Sequence, residues 1–375
     1  MDPRTDKLRL AFALMQGLTV TQARTILDAV GDERAFFESS PEQLQQSANL
    51  TERYAATDLR RDLIRDAEAE LAFMERGGIE GLYFADKDRY PHRLAQCEDA
   101  PAMLYKLGSC NLDAAHTVAI VGTRRCTQYG NNMAGEIVKR LAASVKDLVI
   151  VSGLAYGIDI AAHRAAMEAG VPTVGVLAHP LNKIYPPEHR QSAVQMIERG
   201  GALVTEYPLA QAANMRSYNF LARNRIIAGL SDITIVVESD ARGGAMSTAR
   251  RAVAYNRDVY AVPGRIIDQY SRGCNILIAN NQAQAIDDVE NFLNRLGWQE
   301  ACAATEGHQR RLPLDIPPDQ ARLLTMIRTS PSLTVNDMAR QLQLPYQQIT
   351  AMLFNLEMSG LVQGMPGGRY GYTDS

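Results

Sequence analysis

The spacing of hydrophobic positions changes from one part of the chain to the next. From Lys7 to about Met74, apolar residues recur at helical intervals in LRLAFALMQ, TVTQARTILDAV, SPEQLQQ and RRDLIRDAEAELAFM. Thr19 and Thr21 are candidate N-caps, and Gly17 and Gly31 punctuate the turns. The pattern predicts a small helical, SAM/helix-hairpin-helix-like module over residues 1–75. In the next stretch, GIEGLYFADKDRYPHRLAQCEDAPAMLYKLG, Pro91 and Pro101 argue against a continuous helix. Its Tyr and Leu content predicts short extended pieces packed against the middle part of the chain.

The period then shortens. TVAIV, LVIV, TVGVL, ALVT, ITIVV and DVYAV are apolar runs rich in β-branched residues, each followed by helix-like sequence. Alternation of this kind predicts an α/β domain, a doubly wound, mainly parallel Rossmann-like sheet with helices on both faces and right-handed connections. The signal is clearest from Val118 to Ile286, within a domain expected over 76–297. After Trp298 the apolar period is lost and prolines gather, as expected of a linker over 298–314. The remainder, 315–375, reads as three helices separated by Pro331 and Pro345 and two short strands around Gly367 and Gly368, the plan of a winged helix.

Composition adds limits. With 375 residues, 46% hydrophobic and 22% charged, the chain suits a folded protein of two or three domains. No leader-like segment and no run of about 18 uncharged apolar residues is present, so a cytoplasmic location away from membranes is expected. Five cysteines, at 97, 110, 126, 274 and 302, are widely spread with no C-x-x-C pair, which speaks against a disulfide framework or a zinc site. A formal charge of −3 offers no global attraction for nucleic acid, so any such function must rest on local arginines.

In a doubly wound sheet, ligands bind beyond the carboxyl ends of the strands. There the chain places Gly122-Thr123-Arg124-Arg125, then Ser152-Gly153 through Gly157 to Asp159, then Glu238-Ser239-Asp240 leading to Gly243, Gly244 and Thr248. Glycine lets backbone N–H groups approach an anion, and a guanidinium on the same rim suits phosphate. The alternative is that the glycines only make tight turns. A dinucleotide fingerprint is missing: GTRRCTQYG is not G-x-G-x-x-G, and LVIV ends in Ser152 rather than an acid. YNFLARNRIIAGL sets Phe220 one turn before Arg223 and Asn224, with Arg225 beside them. A ring that stacks on a base and arginines that meet the backbone suit single-stranded nucleic acid, although such residues also make ordinary core contacts and ion pairs. Asp159 and His163 lie four apart but have no third partner, and Lys183 is a further phosphate candidate. No catalytic residue, metal or cofactor is expected. A nucleotide-binding hydrolase or sensor, with Glu238 or Asp159 as base, remains the alternative.

The ordered series AIVGTRR, VSGLAYGIDIAAH, NKIYPPEH, LVTEYP, FLARNRIIAGLS, RGGAMSTA and VYAVPG resembles the DNA-processing protein A (DprA/Smf) family. The resemblance implies a homodimer that binds single-stranded DNA through its middle domain and helps to load RecA onto it during natural transformation. It places the binding loop on Gly122, Thr123 and Arg124, the stacking ring on Phe220, and further contacts on Ser152, Gly153, Gly157, Arg223, Asn224 and Arg225. Arg216 would supply the charge of a lysine usual before the ring. Leu221 stands where the family has proline, Gly243 to Ala249 departs from its S-G-S-x-x-T-A pattern, and His179 and Pro180 replace a glycine. The helix near Tyr346 to Met358 has no Lys or Arg, which makes it a weak duplex reader and leaves Arg369 as the wing's obvious phosphate contact.

Overall fold

The computed structural model describes residues 3–48, 50–214, 216–298, 317–330 and 333–372. All of the expected linker but Trp298 lies outside them, as do Cys302 and Pro331. The N-terminal module comprises α1 (Pro3–Ala13), α2 (Val20–Val30), α3 (Glu33–Glu38), α4 (Pro41–Ser47), α5 (Glu52–Ala55) and α6 (Thr57–Gly77). Thr19 caps α2 in a capping box with Gln22, which satisfies two backbone donors reciprocally. Thr21 is not a cap: it lies inside α2 and donates its hydroxyl to Glu98 O at 2.7 Å, tying the module to the next segment. Phe12 and Phe36, both fully buried, meet edge to face at 5.0 Å in the module core.

Nine strands among the described residues form one sheet: β1 (Glu80–Tyr83), β2 (Met103–Gly108), β3 (His116–Val121), β4 (Leu148–Ser152), β5 (Thr173–Val176), β6 (Ala202–Thr205), β7 (Ile233–Val236), β8 (Asp258–Ala261) and β9 (Gln284–Ala285). Their order is β1-β2-β6-β5-β4-β3-β7-β8-β9. The strands from β3 to β9 pair in parallel, whereas β1 and β2 extend the β6 edge antiparallel. The extended pieces expected near Pro91 and Pro101 are thus part of the sheet itself. Along β3, Val118 and Ile120 face one core while Ala119 and Val121 face the other, the period-two division of a strand buried on both sides.

The covering helices are α7 (His92–Ala95), α8 (Gln128–Ser144), α9 (Ile158–Glu168), α10 (Arg190–Glu198), α11 (Ser217–Leu230), α12 (Gly244–Ala254), α13 (Arg272–Ala279) and α14 (Val289–Leu296). The chain winds from β3 outward to β6, then returns along α11 to β7 on the other side of β3. The winding therefore reverses between β3 and β7, where a doubly wound sheet opens its binding crevice. The winged helix comes last, with α15 (Pro318–Thr329), α16 (Val335–Leu342), α17 (Tyr346–Met358) and the hairpin β10 (Val362–Met365) and β11 (Arg369–Tyr372). Among the described residues no helix is long and apolar enough to cross a membrane, and Cys97, Cys110, Cys126 and Cys274 are free thiols.

Candidate nucleic-acid interface

The loops at the point of reversal are locked to one another. Thr123 N donates to Glu238 O at 2.7 Å, which joins the end of β3 to the end of β7. Gly157, at φ +75, lets the loop after β4 pass beneath; a Cβ there would strike Thr123 O and Arg124. A side chain at Gly122 would run into Ile158 and Glu238 O. These glycines serve loop packing, and the N–H of Gly153 is already given to Asp159 Oδ2 at 3.1 Å.

Beneath the loops stands Arg223, 3% exposed. Its Nη1 donates to Gly153 O at 2.8 Å and also to Val176 O, so one guanidinium ties the ends of β4 and β5. Burial pushes its pKa down to about 10, opposed by the nearby Asp159 carboxylate, and it stays charged at neutral pH. Burial likewise raises Asp159, against the pull of Arg223. His163, fully buried and pushed down to about 3 by burial, sits with Nδ1 2.7 Å from the Thr173 hydroxyl. His163 is therefore part of the interior, whereas Asp159, 6% exposed, keeps an edge on the opening at the strand ends. Glu238 accepts from Thr127 N at 2.9 Å and the Thr127 hydroxyl at 2.5 Å, fixing the start of α8. Both acids considered as bases are held in internal contacts, and no cluster able to hold a metal occurs among the described residues.

What remains open is a pocket of about 290 Å³ at the strand ends. Of the residues expected there, Gly122, Thr123, Arg124, Phe220, Arg223, Asn224 and Thr248 line it together. Arg124 is exposed and its guanidinium lies over the Phe220 ring, 5.2 Å from the centroid. Asn224 donates to Gly244 O at 3.2 Å, closing one wall. Leu221, in place of the family's proline, is 53% exposed at the mouth. The Tyr185 ring stands 5.7 Å from Phe220 and is 41% exposed. Tyr185 is not among the residues expected from the sequence, where Lys183 alone stands for this segment; the aromatic beside prolines in NKIYPPEH was the available signal.

Other expected residues stand elsewhere. Ser152 is fully buried, its hydroxyl donating to Ile120 O at 2.6 Å, because the strand end turns that side chain inward. Gly153 and Gly157 support the rim from below. Arg225 points away and pairs with Glu206 at 2.6 Å. Lys183 is exposed and reaches Ala212 O at 3.5 Å. Arg216 lines a different cleft, against the N-terminal module. Arg369 is 6% exposed and pairs with the buried Asp232 at 2.9 Å. The wing is folded onto the α/β domain there, so Arg369 is not the surface phosphate contact expected of it.

Comparison with known proteins gives a consistent picture. The family model of DNA recombination-mediator protein A matches residues 81–297, and that of the DprA winged helix domain matches residues 308–368. The chain is 32% identical over 310 residues to Protein Smf of Escherichia coli strain K12, covering 81% of this chain and 80% of that one. The X-ray structure of DNA processing protein A from Streptococcus pneumoniae superposes with a TM-score of 0.60 at 31% identity, covering 77% of this chain and 95% of that one. A structure of DNA processing protein A from Helicobacter pylori, reporting its single-stranded DNA binding mode, matches with a TM-score of 0.50 at 32% identity over 58% of this chain and 94% of that one.

Proposed function

The chain belongs to the DNA recombination-mediator protein A family, and from that membership we propose that it binds single-stranded DNA at the β3–β7 strand ends, protects it, and helps to load RecA onto it during natural transformation. The observation that carries this reading is the exposed Arg124 guanidinium over Phe220 at the mouth of a pocket floored by Arg223. A base stacks on the ring while the arginine meets the phosphate beside it, a combination that tolerates any sequence. The rim provides positioning and charge, and the protein acts by binding rather than turnover. A homodimer through the α/β domain is part of the proposal, supported by Ile266 and Ile267, which stand 87% and 80% exposed on the loop after β8.

A gel-shift comparison of single-stranded and duplex DNA tests the reading. Preferential retention of the single strand is expected, independent of sequence, with the strand passing to RecA when RecA is added. Equal or better retention of duplex would overturn it, and a single strand that RecA gains no faster than in its absence would remove the loading role. Light scattering on the same sample reads the assembly, and a monomer mass at every concentration would exclude the dimer.

A further inference from the structure

The first turns of α11 face two openings. Ser217, Phe220, Leu221 and Asn224 recur at helical spacing and line the strand-end pocket. Tyr218 and Asn219, rotated about 100° and about 200° from Ser217, line instead a cleft of about 280 Å³ where the N-terminal module meets the α/β domain. Leu14, Met15, Leu59 and Leu63 supply an apolar lining from the module. Arg53 and Tyr54 from the module face Arg216 and Tyr218 from the α/β domain. The Arg53 guanidinium lies 5.8 Å from the Tyr54 centroid, and Tyr218 is 55% exposed. Among the described residues neither Arg53 nor Arg216 has an ion-pair partner, and no acidic residue lines the cleft. Two uncompensated cations beside an exposed ring and an apolar wall have the chemistry of a nucleotide site.

We propose that a DNA strand held at the strand-end pocket continues over the first turn of α11 into this cleft, with a base on Tyr218 and phosphates on Arg53 and Arg216. The proposal rests on the single-stranded DNA reading and assigns the N-terminal module half of a second binding subsite. Adjacent residues of one helix turn, Ser217 and Tyr218, belong to the two openings, so a strand leaving one meets the other without crossing unrelated surface. Arg216 thereby keeps a DNA contact, in a place that only the tertiary structure defines.

The experiment measures binding of oligothymidylates of about 6 and about 20 nucleotides to the full chain, to Arg53→Ala/Tyr218→Ala and to Arg124→Ala. For the first variant, affinity for the long strand is expected to fall at least about tenfold, from the loss of one stacked base and one phosphate contact. The slope of log affinity against log salt should become shallower by about 0.7, while the short strand binds as before. Cross-linking of a 5-iodouracil-substituted long strand to Tyr218 in the otherwise unaltered chain is the second readout. A folded double variant that binds the long strand with unchanged affinity and slope, or a cross-link absent from Tyr218, would overturn the proposal while leaving the pocket reading intact. Unchanged binding of both strands by Arg124→Ala would instead remove the pocket reading on which it stands.

Discussion

The Arg124 guanidinium reaches solvent over the face of Phe220, whereas that of Arg223 is spent on the carbonyls of Gly153 and Val176. The two line one pocket but should fail differently. Arg124→Ala removes an exposed cation, and folding stability should stay within about 0.5 kcal/mol of the parent, while the salt slope of single-strand binding falls by about 0.7. Arg223→Ala leaves Asp159 buried without its countercharge and two carbonyls without donors, at a cost of about 3–5 kcal/mol. Equilibrium denaturation separates them: an Arg223→Ala protein as stable as the parent would contradict the role given to Arg223. Much of this is legible in the sequence. Phe220 and Asn224, four apart, had to share a helix face, and Arg223 and Arg225, two apart, could not. What the sequence could not supply was depth, because whether an arginine ends in water or under a loop depends on strands brought together from distant segments.

Among the elements, the parallel strands were readable because burial on both faces leaves continuous apolar runs. The edge strands β1 and β2 were less so: Gly81 interrupts EGLY, and Lys106 breaks the apolar run of MLYKLG. The ends of α2 followed the capping residues Thr19 and Gly31, with Thr19 and Thr21 separable only by which one starts the backbone turn. The segment after β6 is held by α6: Glu70, 2% exposed, accepts from Leu209 N at 2.7 Å. Burial raises its pKa from 4.5 to about 7. The folded protein therefore binds this proton more tightly than the unfolded chain. Its contribution to stability is full below about 4.5 and is lost as pH rises through about 7. Glu70→Gln keeps an acceptor and removes the titration. Melting temperatures followed from about pH 5 to about pH 8 should fall more steeply for the parent than for the variant. Parallel curves would show that Glu70 does not carry the dependence.

Across the whole molecule, α11 joins two places, its first turns bordering the strand-end pocket and its C-terminal end leading into Asp232. Asp232 is fully buried and accepts from Arg93 at 2.7 and 2.9 Å, from Thr117 N at 2.8 Å and from Arg369 of the wing at 2.9 Å. Arg369 also reaches Ala115 O at 2.7 Å, and Gly367 N donates to Asp258 at 3.1 Å. Nothing in GGRYGY distinguishes an arginine offered to phosphate from one inserted into a neighbouring domain, since the deciding carboxylate lies 137 residues away. Removing that carboxylate leaves two guanidiniums facing each other in a nearly dry site, so Asp232→Ala should cost about 3–5 kcal/mol. Because the wing meets the α/β domain through this cluster, its release should accompany the loss, read as faster amide hydrogen exchange at Gly367, whose N–H Asp258 holds, at temperatures where the sheet is intact. Arg369→Ala separates the two effects: it keeps the Arg93–Asp232 pair and should free the wing with a smaller loss of sheet stability. Exchange at Gly367 unchanged in both variants would mean that the wing is held by other contacts.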